Sequence, residues 1–338
     1  MSTPLDTTAR TSGDVIAHPS ATPRPRGRAR LIIGYLAVAA VQPYLILKLT
    51  WIAGSTNGIT ETSPLDASVV RGGNIVTAVM ELTAIAILLA FTHQWGLRVP
   101  AWLVLVPAWI GTGLLAPFVI TGPVIAASVV SDLAPVGDDS LAPWVGPLVY
   151  LSFGAQAVGI ASCFVLYAKE RWPYVFSGHL SDRLIGPSRT ALVPIAWGTA
   201  ALLVVVSVAR LPWSLGAAWG LPSSGESRGV AEQLTDGASA VFAVAAAVGI
   251  LMLAVGRPRR TRIWVPVALA WIGGGATLEA GAYSLVLLFT KLTGAVDSVP
   301  ATGMVPFVDL LQVVAGVAIG VAGAVILAAD HARSSTPS

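Results

Sequence analysis

The chain alternates long apolar runs with short polar ones, and the apolar runs are nearly uniform in length. Eight of them, at about 31–53, 74–93, 100–121, 144–168, 191–213, 237–256, 263–290 and 304–329, approach or exceed the roughly 20 residues that a helix needs to cross about 30 Å of hydrocarbon. A backbone in hydrocarbon has no water to bond. Each run is therefore predicted to be a helix that satisfies its own amides and carbonyls. The fold class this implies is all-α: a polytopic integral membrane protein of about eight transmembrane helices.

The polar positions carry a second pattern. Lys48-Leu49-Thr50-Trp51-Ile52-Ala53-Gly54, with Gly58 four residues on, recurs as Arg210-Leu211-Pro212-Trp213-Ser214-Leu215-Gly216 with Gly220 four residues on, an offset of 210 minus 48, or 162. The same offset carries Arg98 onto Arg260, Trp102 onto Trp264, and Ala108-Trp109-Ile110-Gly111 onto Ala270-Trp271-Ile272-Gly273. After Gly113 and Gly275 the correspondence loosens, and the fourth spans align through Pro147 and Pro306 at a shifted offset of 306 minus 147, or 159. We read two four-span repeats, 31–170 and 191–330, joined by a linker at 171–190 and flanked by tails at 1–30 and 331–338. Four is an even number of crossings, so the repeats are expected to be parallel in the membrane. The arginine-flanked first span imitates a signal peptide. Its counterpart at 193–215 cannot be cleaved away, so a retained helix is expected.

Composition agrees with the apolar pattern. Only 11% of residues are charged and 55% are hydrophobic, where an ordinary soluble domain carries about 25% charge. The charges are also sorted by side. Arg24, Arg26, Arg28 and Arg30, then Arg98, then Lys169, Arg171, Arg183 and Arg189, then Arg257, Arg259, Arg260 and Arg262 fall at one end of the spans, while acids dominate the opposite loops at Glu61, Asp66, Asp132, Asp138, Asp139, Glu226, Glu232 and Asp236. The positive-inside rule then places both termini in the cytoplasm, in a cell membrane. It also explains the arginines as topology signals with some attraction to anionic lipid, rather than as a nucleic-acid surface. Residues 1–30 lack apolar periodicity and are expected to be disordered.

Candidate chemistry is limited to ionisable groups inside the spans, each costing roughly 2.5–3.5 kcal/mol near the bilayer centre. Five qualify: Lys48, Glu81, Arg210, Glu279 and Asp309. All lie in the half facing the corner motif, which suggests one polar pocket opening outward between the repeats. Glu81 and Glu279 either pair with the two cations, stay neutral as protonated carboxyls, or form a ligand or proton site, while Lys48 and Arg210 either serve as their partners or snorkel to the headgroups. Glu81 aligns with Ala243 and Glu279 with Pro117, so the acids break the repeat. Trp51 and Trp213 read as interfacial anchors, with Gly54, Gly58, Gly216 and Gly220 turning the chain at the helix exits. Gln42, Gln156 and Gln312 read as interhelical hydrogen-bonding groups, and Gly316 with Gly320 as a close-packing face. Interrupted helices are expected at Gly273-Gly274-Gly275 or at Pro117 if a transport site is built there.

Enzyme signatures are mostly absent. The lone Cys163 excludes a disulfide framework, and His18, His93, His179 and His331 lie in tails or cytoplasmic segments without ligand spacing. No metal, no cofactor, no phosphate-binding loop and no nucleophile elbow is expected.

Trp213, Gly216, Trp219 and Gly220 form a W-x-x-G-x-x-W-G stretch that resembles small uncharacterised actinobacterial four-span membrane proteins carrying a W-x-x-G-G-x-W-G-like motif. Ser55 and Asn57 depart from it in the first unit. The resemblance covers the first helix and loop of each half. It implies a fused pair of such units and carries no function.

The function expected is binding or movement of a small solute or ion across the bilayer, with Glu81 and Glu279 handling protons or cations. The alternative is a non-transporting membrane scaffold or accessory subunit. A membrane-embedded enzyme acting on a lipid-like substrate ranks third. Lipid is the expected surroundings, nucleic acid is not an expected partner, and partner proteins are left open.

Overall fold

A computed structural model describes residues 26–60, 67–130, 141–182, 188–221, 230–292 and 303–334. The tail residues 1–25 and 335–338 lie outside the described residues, as do the loop acids Glu61, Asp66, Asp132, Asp138, Asp139 and Glu226. Nine α-helices are present among the described residues: α1 (Arg26–Ile52), α2 (Ala67–Thr92), α3 (Ala101–Val130), α4 (Val145–Arg171), the short α5 (Pro173–Ser177), α6 (Ser188–Ser214), α7 (Val230–Val255), α8 (Trp264–Leu292) and α9 (Val305–Ser334). All but α5 are long and apolar enough to cross a membrane. The protein is an all-α, multi-pass membrane protein. Its large apolar side chains point outward as well as inward, with Ile32, Leu36, Leu151, Val158, Val208 and Phe289 among the exposed, as lipid solvation requires.

Several helices extend past their predicted ends. α1 begins at Arg26 rather than 31, α3 runs to Val130 rather than 121, and α7 begins at Val230 rather than 237. Helix termini carry polar residues where they leave hydrocarbon, so hydropathy underestimates length. The expected interruptions do not occur: α8 passes through Gly273-Gly274-Gly275 and α3 through Pro117 without a break. The three glycines serve packing instead. A Cβ on Gly273 would strike the backbone of α7 at Ala246, and one on Gly274 would press on Ile319 of α9. Gly316 and Gly320 of α9 sit tightly against Leu278 and Trp109, as a close-packing face should.

The helices associate as two groups of four. α1 packs on α2 and α4, and α3 on α4 and α2; α6 packs on α7 and α9, and α8 on α7 and α9. The groups meet where α3 lies against α8 and α7. The predicted linker is partly folded. α5 occupies it, and the backbone at Gly178–Leu180 pairs with the α7–α8 turn through Leu180 N–H to Thr261 O (3.0 Å) and Ile263 N–H to Gly178 O (3.1 Å). At the same end, Arg171 donates to the carbonyls of Gly96 (3.3 Å) and Val99 (2.8 Å), and Arg30 bonds Glu170 and the Phe91 carbonyl. These arginines therefore hold helix ends together.

The opposite end carries the two glycine corners. Gly54, Gly58, Gly216 and Gly220 all have positive φ, between 71° and 94°, a region that costs other residues a steric clash. Trp51 and Trp213 pin the corners from inside: the Trp51 indole donates to Asn57 O at 2.7 Å and that of Trp213 to Trp219 O at 2.9 Å. Both rings are buried, so neither is an interfacial anchor. That role suits Trp102 and Trp264, which stand exposed near their helix starts. The carbonyls of Gly58 and Gly220 then accept from Ala142 N–H (2.9 Å) and Met304 N–H (2.7 Å), tying each corner to the entry of α4 or α9.

Candidate functional site

The intramembrane charges do not gather in one pocket. They form two clusters, one inside each four-helix group, and Glu279 belongs to neither.

In the first cluster α1 supplies Lys48, α2 Glu81 and α4 Gln156. Lys48 Nζ lies 3.4 Å from Glu81 Oε1, and Gln156 Nε2 donates to Glu81 Oε2 at 2.6 Å. The ammonium also lies 4.0 Å from the Tyr44 ring centroid, an added cation–π attraction. Lys48 is only 2% exposed and Glu81 5%, so the lysine does not snorkel to the headgroups. It folds back instead onto an acid that has no other cation.

In the second cluster α6 supplies Arg210, α7 Asp236, and α9 both Asp309 and Gln312. Arg210 donates through one terminal nitrogen to Asp236 Oδ1 at 2.6 Å and through the other to Asp309 and to Gln312 Oε1 (2.7 Å). The forked, planar guanidinium suits three acceptors on two helices, where an ammonium would not. The expected Arg210–Glu279 pairing does not form: the acids that Arg210 meets are Asp236 and Asp309. Asp236, expected in an outer loop because the apolar run begins at 237, lies buried in the second turn of α7, whose helix extends past the apolar run.

The two clusters use the same three helix positions in different registers. The cations keep the offset of 162, whereas 236 minus 81 is 155 and 312 minus 156 is 156. Relative to 162, the acid and the glutamine of the second group are displaced by 7 and 6 residues, about two turns, toward the glycine corners. A position-by-position alignment pairs Glu81 with an alanine and misses this. The signal that could have found it was the recurring kit of one cation, one acid and one glutamine on the first, second and fourth spans.

Glu279 stands on α8 at the seam between the groups. There Trp109 Nε1 donates to Trp271 O at 2.9 Å, and Trp271 Nε1 to Thr112 Oγ1 at 3.2 Å. One turn on, Gly113 and Gly275 approach so closely that a Cβ on Gly113 would strike the Gly275 carbonyl; the same Cβ would lie 3.2 Å from Glu279 Cβ. Pairing of 109 with 271 and 113 with 275 in register makes α3 and α8 parallel neighbours. Glu279 is half-buried and has no ion pair or hydrogen bond among the described residues. It is 15 residues into a 26-residue span, near the middle of the helix (279 minus 264 is 15).

No group of three metal-ligating side chains occurs among the described residues. The fold and these buried clusters define a multi-pass membrane protein with intramembrane ion pairs. Comparison of the chain with protein-family models, with curated proteins and with solved structures finds no match.

Proposed function

We propose that the protein binds or passes a small solute or ion within a cell membrane, with both termini cytoplasmic and with Glu279 as the group that meets the cargo. The observation that carries this reading is that Glu279 alone, among the five intramembrane candidates, has no partner among the described residues. A carboxyl near the bilayer centre without a cation is costly unless something else neutralises it, and persists where it serves a site. Lys48, Glu81, Arg210 and Asp309 then act as structural pairs that hold each four-helix group rigid. We further take the two groups to be duplicated parallel repeats, supported by the matched corners and by the in-register contacts of Trp109 with Trp271 and Gly113 with Gly275. The unit repeated is, on this reading, the four-span protein that the tryptophan-glycine stretch resembles.

Reconstitution into vesicles with an imposed proton or sodium gradient tests the reading. Glu279→Gln should abolish gradient dissipation while leaving the protein folded. Unchanged flux would sink the assignment. The second reading, a non-transporting membrane scaffold, is favoured by the internal pairing of both clusters. It predicts no flux from the native protein and release of a copurifying partner on disruption of either cluster.

A further inference from the structure

Two departures from the 162-residue repeat fall at one spot. Position 279 is glutamate where its counterpart, 279 minus 162, is Pro117. Proline has no amide hydrogen, so Pro117 cannot donate to the carbonyl four residues earlier, which is that of Gly113. Gly113 is the residue of α3 against which the Glu279 side chain begins, 3.2 Å from its Cβ to a Cβ built on the glycine. Helix carbonyls point toward the helix C-terminus. The Gly113 carbonyl is thus directed toward the level of Pro117. Because α3 and α8 run parallel with Gly113 beside Gly275, Glu279, four residues beyond Gly275, stands at that same level. One half contributes an acid without a partner among the described residues, and the other a carbonyl that has lost its usual helical donor.

We propose that Glu279 and the Gly113 carbonyl form a proton-binding site on the seam between the two four-helix groups. Its part in moving an ion rests on the function proposed above; its existence as a site does not. Binding is a simple protonation. The carboxylate takes up one proton to become a neutral carboxylic acid, and its new O–H donates to the Gly113 carbonyl. Both otherwise costly groups are satisfied at once. Deprotonation would leave a carboxylate beside a carbonyl, two acceptors with no hydrogen between them.

The surroundings support this chemistry. α3 carries no ionisable side chain anywhere along its length. From α7 the charged groups are Asp236, held by Arg210, and Glu232, exposed near the helix start. From α9 the charged group near this end is Asp309, also held by Arg210. No cation among them is free to pair with Glu279, whereas a proton needs only the acceptor that Pro117 exposes.

Infrared spectroscopy of the full-length protein in lipid nanodiscs tests the site directly, through the C=O stretch of a protonated carboxyl. At neutral pH we expect a component that is lost in Glu279→Gln and that moves to higher frequency in Pro117→Ala, where the restored amide recaptures the Gly113 carbonyl. A spectrum unchanged by Glu279→Gln would show that Glu279 is ionised and would overturn the proposal, as would a Glu279 component that Pro117→Ala does not move. Loss of the component on adding sodium at fixed pH would also overturn it, in favour of a metal cation. If the infrared result holds while vesicles show no flux, the proton site stands and the transport reading falls.

Discussion

Trp109 on α3 donates its indole N–H to the carbonyl of Trp271 on α8, the residue 162 positions further along the chain. Under the duplication proposed above, such a contact marks where a local twofold relation would pass. The small residues one turn away, Gly113 and Gly275, bring the backbones together there. The seam thus depends on absent side chains as much as on present ones. Gly113→Leu should destabilise the protein by more than about 1–3 kcal/mol, the usual cost of overpacking, because the obstacle is backbone rather than a side chain that can turn aside. A lowered melting temperature in detergent is the readout, with Gly111→Leu as a control, since nothing lies within 4 Å of a Cβ at Gly111.

Glu81→Gln should be among the most damaging single changes in the first group. It leaves the Lys48 ammonium buried without its acid, and breaking a buried pair from one side costs about 3–5 kcal/mol. The double change Lys48→Met with Glu81→Gln removes both charges and is expected to recover much of the loss. A double-mutant cycle on thermal unfolding measures the coupling, and a sum of independent losses would contradict a direct pair.

Arg210→Lys should be poorly tolerated although it keeps the charge. One ammonium cannot reach Asp236, Asp309 and Gln312 along the separate directions that the guanidinium serves. We expect a clear fall in thermal stability, larger than that of Lys48→Arg in the first group. Equal tolerance at both positions would argue against the forked geometry.

The glycine corners predict a smaller, paired effect. Gly54→Ala and Gly216→Ala place a Cβ at positive φ and should each cost about 1 kcal/mol or slightly more. Trp213→Phe loses the bond to the Trp219 carbonyl and leaves a cavity where the fully buried indole stood, so it should cost more than the ~1 kcal/mol of a typical hydrogen bond. Chemical or thermal unfolding of the purified protein would reveal both.

Membrane orientation is a separate expectation. A reporter fused after Ser338 should read cytoplasmic, as should one inserted in the arginine-rich turn between α7 and α8. An extracytoplasmic signal at either would reverse the sidedness inferred from Arg257, Arg259, Arg260 and Arg262.

Much of the fold was legible before any coordinates. Lipid solvation forces apolar runs of this length into helices, so the eight spans followed from hydropathy alone, and only their polar ends, such as the first two turns of α7, escaped. The tryptophan and glycines of the corners were visible as a repeated motif because local backbone chemistry repeats position by position. The partners of the charges were not. Hydrocarbon demands that a buried cation find an acid, but it leaves open which turn of which helix provides it. Asp236 therefore needed three dimensions to be recognised, as did the choice of Glu81 as the partner of Gln156. The Lys48–Glu81 pair could be guessed from the list of intramembrane charges; the isolation of Glu279 could not, because it depends on which acids of α7 and α9 come within reach of Arg210. The sequence by itself determined the solvent, the helices and the corners, since these depend on short stretches of chain. Tertiary structure alone decided how the charges are shared and that Glu279 meets Gly113, since those depend on how far one helix is displaced against another.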